Sequence, residues 1–159
     1  MADPRILTDK AMLIRSATLE DTPSIAHLSS QLGYPATSAD VTRLYSAMLQ
    51  HNEHAVFLAE EQDGRVSGWV HVFLARRLFV PTFAELGGIV VDESRRGSGI
   101  GRALMAEAEH WAAENGCSLL RIRSNVRRAG SHQFYERVGY TVLKSQTVYD
   151  KELSDTQDA

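Results

Sequence analysis

The stretch Ile89-Val90-Val91-Asp92-Glu93-Ser94-Arg95-Arg96-Gly97-Ser98-Gly99-Ile100-Gly101-Arg102-Ala103-Leu104 decides the reading of this chain. An apolar strand ends, a basic glycine-rich turn follows, and an amphipathic helix begins. Ile100, Leu104, Met105, Ala108, Trp111 and Ala112 recur at helical spacing, and Asn115-Gly116 stops the run. Glycines let a backbone approach a ligand closely and adopt dihedrals that a side chain forbids. The first N–H groups of a helix have no internal partners and carry partial positive charge. Together these features make a cradle for phosphate or pyrophosphate, and Arg95, Arg96 and Arg102 add charge around it. A nucleoside-triphosphate loop needs Lys followed by Ser or Thr, and Arg102-Ala103 fails that test. A dinucleotide fingerprint is G-x-G-x-x-G, whereas this is G-x-G-x-G. On the glycines alone, a turn that merely tightens the strand–helix joint is the plain alternative.

Outward from that joint, strands and helices alternate. Phe83 to Val91 is a strand, apolar on both faces near its end, as a central strand would be. Upstream, His54 to Glu60 and Val66 to Ala75 flank the turn signal Asp63-Gly64. The second of these sets Trp69, His71 and Phe73 against Val70, Val72 and Leu74. Two helices precede them. One starts near Asp21-Thr22-Pro23. The other runs from Ser38 to Gln50, with Val41, Leu44, Tyr45, Met48 and Leu49 as its stripe. Met12 to Ala17 reads as the first strand. Downstream come a strand over 118–123, a short helix over 131–138 and one or two closing strands over 140–148. The helix crossover between Val91 and Ser118 makes the strands on either side of it parallel neighbours. Residues 1–11 read as a flexible lead, 12–151 as one α/β domain and 152–159 as a disordered acidic tail.

The turn resembles the acetyl-CoA motif of the GCN5-related N-acetyltransferases (GNAT), Arg/Gln-x-x-Gly-x-Gly/Ala, filled here by Arg96, Gly99 and Gly101. A second family motif matches Phe134-Tyr135-Glu136-Arg137-Val138-Gly139-Tyr140 at the family's spacing. The resemblance covers roughly residues 12–150. It implies the GNAT fold: a mixed, strongly twisted sheet splayed between its fourth and fifth strands, with about four helices around it. It also implies that pantetheine meets the strand edge at Ile89, Val90 and Val91. The pyrophosphate meets the amides of Arg96, Gly97, Ser98, Gly99, Ile100, Gly101 and Arg102. Acetyl-CoA is then the acyl donor and CoA the product.

By the same resemblance, Tyr135 holds the acid position. A phenol with a pKa near ~10 is protonated at neutral pH and can give a proton to the leaving thiolate; the alternative is that its ring only packs. A backbone N–H near Ile89 is the candidate oxyanion donor. Glu85 stands in an otherwise apolar strand, where a carboxylate needs a reason. It is either the base, an anchor for the substrate ammonium, or half of a structural ion pair. Many members carry Asn seven residues before the Tyr; here that position is Arg128, and Asn125 lies further upstream. The pattern over 124–135 looks more like the aminoalkylphosphonate acetyltransferase branch. Asn125 and Arg128 enter as cofactor contacts. Arg128 reaches either the coenzyme phosphates or an anionic substrate group, or it belongs to a solvated basic loop.

The remaining features bound the function. The chain has 159 residues, net charge −3 and a sequence pI of about 6.1, so no broad basic footprint points to nucleic acid or an anionic membrane. Cys117 is the single cysteine, which fits the cytoplasm and sits wrongly for a nucleophile. His51 and His54 lack a carboxylate or third ligand at metal spacing and read as surface or loop residues, so no metal is expected. The reading is an N-acetyltransferase acting by direct transfer on a primary amine of a small molecule. A protein or peptide acetyltransferase and a non-catalytic acyl-CoA sensor are the alternatives. The apolar run Leu78, Phe79, Val80 and Phe83 is a candidate homodimer surface.

Overall fold

A computed structural model describes residues 5–7 and 12–154, the first three as backbone only. The chain forms two compact units, one through Arg123 and one from Ser124 onward. Among the described residues of the first unit, six strands make one sheet in the order β1-β2-β3-β4-β5-β6. They are β1 (Arg5–Leu7), β2 (Met12–Ser16), β3 (His54–Glu60), β4 (Val66–Ala75), β5 (Phe83–Val91) and β6 (Leu120–Arg121). Neighbours are antiparallel except β5 and β6, which are parallel across the crossover helix α3 (Ile100–Glu114). Helices α1 (Thr22–Gln31) and α2 (Ser38–Met48) follow β2.

The two faces of the sheet are covered separately. On one, Val70 and Val72 are fully buried, as is Leu104 of α3, with Ile100 and Met105 nearly so. Each such aliphatic side chain contributes about 1.5–3 kcal/mol by leaving water. On the other face Val56 and Leu58 of β3 pack with Ile25 of α1 and Tyr45 of α2, and Trp69 leans on this cluster. The alternation read from β4 holds along its middle, where Gly68 lies against Ile100 and Leu104 of α3 and Trp69 faces the α1–α2 side; at the strand's start, beside a register shift, Val66 also packs on the α1–α2 side.

β5 is long and β6 is short, and that mismatch opens the sheet. Their ladder joins Ala84 to Leu120 and Glu85 to Arg121, and then stops, although β5 continues to Val91. Counted from Met12, these are the fourth and fifth strands, so the splay lies where the resemblance puts it.

Three segments differ from expectation. Arg5–Leu7 lies within the segment read as a flexible lead, yet its backbone pairs with Met12 to Ile14 as a hairpin. The rest of 1–11 lies outside the described residues. The strand expected over 118–123 is confined to Leu120–Arg121. No strand forms over 141–154; Val142, Leu143, Val148 and Tyr149 are exposed there. β-prone residues form a strand only where a ladder partner exists, because strand preference is mostly packing on neighbours. Of the tail read as disordered, 155–159 lie outside the described residues.

One ion cluster ties β2 to the start of α1. The Arg15 guanidinium donates to both carboxylate oxygens of Asp21 at 2.8 Å and also reaches Glu60. Asp21 is buried. Arg15 holds its carboxyl below the ordinary 3.8, with burial opposing. A carboxyl with a depressed folded value adds stability that is complete above pH 3.8 and fades as pH falls through that lower value. Asp21→Asn should therefore cost roughly 3 kcal/mol at pH 7 in urea titrations, the lower end for a broken buried pair because Arg15 is partly exposed. The gap from wild type should close in strong acid.

Among the described residues, no helix is long and apolar enough to cross a membrane.

Candidate active site

The cradle forms as the residue types require. Asp92 closes β5 and its side chain accepts from Ser94 N–H at 2.9 Å, which starts a short 3-10 turn at Glu93–Arg95. Gly97 and Gly99 then take φ of +78° and +87°, the left-handed region that side chains disfavour. Gly99 is the residue immediately before α3. The first helical bond back is Ala103 N–H to Gly99 O at 3.1 Å, so the preceding amides are not spent on the helix. A Cβ added at Gly97 or Gly99 would meet nothing within 4 Å. The loop is therefore uncrowded at both glycines, which fits a bound pyrophosphate. Arg96 is exposed beside it. Arg95 turns away and pairs with Glu61 at 2.8 Å, so its charge serves the β3–β4 hairpin.

Ile89, Val90 and Val91 pair with β4 on one side. On the other side they lie beyond the β6 ladder. This is the arrangement needed for backbone groups to be offered to a ligand. Glu85 is buried on the same strand, and Arg123 Nε donates to its Oε1 at 2.9 Å. Of the three readings of Glu85, the ion pair is thus physically present. The neighbouring Arg121 lies over the Phe83 ring, 4.5 Å from its centroid.

The α1–α2 face of β4 and β5 carries a pairing that the sequence does not show: Trp69, His71 and Phe73 read from the sequence as a packed sheet face or the lining of an acceptor pocket, with no link to His54. A bulge in the β4–β5 ladder leaves Gly87 as the extra residue, between Leu86 opposite Val72 and Gly88 opposite His71. The His71 ring occupies the space of a Gly87 side chain: a Cβ there would lie 2.1 Å from His71 Nδ1. His71 Nε2 is 3.0 Å from His54 Nδ1; the two imidazoles stack, His54 also stacks on Phe73, and His71 meets Phe73 at a tilt. His54 is therefore a sheet residue with a partner, not a loop histidine. The signal available in sequence was its place at the head of an apolar strand.

In the second unit, α4 (Ala129–Arg137) carries Tyr135. Its ring packs against Phe134 and, edge-on, Tyr140, with centroids 5.5 and 6.3 Å away. Burial raises the phenol above its ordinary 10, and the charge of Arg128 opposes that. Asn125 builds the turn before α4: its Oδ1 accepts from Arg127 N–H at 2.9 Å and its carbonyl from Arg128 N–H at 3.0 Å. Arg128 is the N-cap.

A glycine-rich turn at the C-terminal end of a splayed strand, leading straight into a helix, has the form of an anion cradle. Comparison with known proteins supplies the family. The acetyltransferase (GNAT) family profile matches residues 21–140. The chain is 32% identical over 134 residues to aminoglycoside N(6')-acetyltransferase type 1 of Stenotrophomonas maltophilia, covering 82% of this chain and 86% of that one. It is 30% identical over 133 residues to aminoalkylphosphonate N-acetyltransferase of Salmonella typhimurium, covering 80% and 83%. The crystal structure of aminoglycoside N-acetyltransferase AAC(6')-Iy in complex with CoA superposes with a TM-score of 0.81 over 92% of this chain and 98% of that one, at 20% identity. The chain belongs to the GNAT family of acetyltransferases and is an acetyl-CoA-dependent N-acetyltransferase.

Proposed function

We propose that this enzyme acetylates a primary amine on a small molecule by direct transfer from acetyl-CoA, with no covalent acyl-enzyme. The observation that carries the reading is the open amide cradle at Gly97–Gly99 joined to a splayed strand, in a chain of this family. The matches to aminoglycoside and aminoalkylphosphonate acetyltransferases support a small-molecule acceptor.

Acetyl-CoA supplies the activated acetyl group. The amides from Arg96 to Arg102 hold its pyrophosphate, and the backbone of Ile89, Val90 and Val91 lines up its pantetheine. An amide near Ile89 donates to the carbonyl oxygen, Tyr135 holds the proton for the leaving sulfur, and Asn125 and Arg128 make further phosphate contacts. Glu85 lies on the strand that presents the cofactor and orients the incoming amine. The cytoplasm and a homodimer belong to this reading: Leu78, Phe79 and Val80 are exposed as a second copy would need, whereas Phe83 is buried.

Thiol release from acetyl-CoA across a panel of aminoalkylphosphonates, aminoglycosides, polyamines and amino acids tests the function. Turnover with one class supports it; binding without turnover on any amine would make the protein a sensor. Within the active class, Glu85→Gln should raise the acceptor KM by about tenfold and leave kcat within about twofold, the pattern of a lost positioning contact. A fall in kcat that shrinks as pH rises toward the amine's pKa would instead make Glu85 the base.

A further inference from the structure

Three observations converge on the His54–His71 pair. First, Gly87 is exposed although it lies inside a nine-residue central strand, because the β6 ladder ends at Glu85 and leaves its strand edge unpaired. Second, the partly exposed His71 lays its ring over Gly87, with Nδ1 the ring atom nearest the Gly87 Cβ position, and its Nε2 is in hydrogen-bond contact with His54 Nδ1 at 3.0 Å. Third, β3–β4 register sets His54 opposite Phe73, and β4–β5 register sets Phe73 opposite Glu85. The imidazole pair therefore shares its face with the residue proposed to orient the amine.

Resting on the acetyltransferase reading above, we propose that His71 takes the proton from the acceptor amine and passes it to His54, so that the two rings form a proton relay. With His71 protonated on Nε2 and donating to His54 Nδ1, its Nδ1 keeps a lone pair. As the amine nitrogen forms its bond to the acetyl carbon, its N–H bond breaks and an Nδ1–H bond forms on His71. The Nε2 proton of His71 moves to His54 Nδ1, and His54 releases its own Nε2 proton to water. Protons and charge balance at each transfer, and neither ring needs to hold a lasting charge.

The surroundings suit a relay. Burial, with the charge of His54 adding to it, lowers His71 to about 4. Its ring is therefore neutral, with a free lone pair, throughout the physiological range. Other charged groups on this face are engaged or turned outward. Glu85 is held by Arg123, and Arg121 lies over Phe83. From α1 and α2, His27 and Arg43 are exposed, Tyr45 donates its hydroxyl to Ala17 O, and Asp40 closes its own helix cap on Thr37. Asp21, just before α1, is bound to Arg15.

The test uses the full chain with the acceptor found active in the amine panel. His71→Asn should lower kcat about 10²-fold at pH 7, the low end for general-base catalysis. Acetyl-CoA affinity by calorimetry and acceptor KM should move less than about threefold, and the defect should shrink as pH rises toward the amine's pKa. His54→Gln should lower kcat about tenfold. Gly87→Ala, which leaves both histidines in place but puts a Cβ where the ring sits, should reproduce the His71 defect. Independently of turnover, imidazole ¹⁵N spectra of the free protein should show His71 neutral down to pH 5, and His54→Gln should shift its titration. Unchanged kcat in folded His71→Asn, or a defect constant across pH, would overturn the relay and leave the enzyme assignment standing. Loss of acetyl-CoA binding and turnover in the wild type would overturn both.

Discussion

Gly99→Asp should abolish acetyl-CoA binding, with at least a 10²-fold loss by calorimetry, while the protein remains folded. The two halves of this expectation come from different parts of the geometry. A Cβ at Gly99 meets nothing within 4 Å, so the new side chain projects into free space and displaces no packed atom. The left-handed φ of +87° is a strain that Asp and Asn tolerate better than other side chains. A carboxylate just before α3 is also favoured by the helix dipole, by about 0.3–1 kcal/mol. Thermal stability should therefore change little. The same carboxylate would occupy the anion position and repel a pyrophosphate. Gly99→Asn is the matched control: equal in size and equally strained, but uncharged. It should lose much less affinity. Arg96→Ala should also weaken binding less, since backbone amides make most of the contacts. Unchanged affinity in a folded Gly99→Asp protein would sink the cradle.

Tyr135→Phe should lower kcat by about 10²–10⁴-fold, the range for a lost general acid. The ring contacts with Phe134 and Tyr140 are kept, so fold and acetyl-CoA affinity should both survive. The pH dependence has a definite sign. The acid works only while protonated, and burial holds its pKa above 10, so its rate limb descends only beyond that value. In Tyr135→Phe that alkaline limb should vanish along with the rate. Full activity in the variant would leave Tyr135 as packing alone.

Much of this architecture was legible in the order of residues, because it depends on local physics. The alternation along the middle of β4, the stripe of α3 and its stop at Asn115-Gly116 are short-range signals. So is the cradle, whose glycines, strand end and helix start are consecutive. Its family motif could be read for the same reason.

What the sequence determined by itself was therefore most of the elements from Met12 to α4, the family and the glycine-rich strand–helix joint. The tertiary structure alone decided which side chains meet. Glu85 and Arg123 are 38 residues apart, and His54 and His71 are 17 apart. Their contacts exist because strand register brings them to one face, and the β5 bulge at Gly87 makes room for a ring. The 141–154 segment shows the same rule from the other side. Its β-prone residues promise a strand, but a strand is a pairing between two segments, and no single segment specifies its partner.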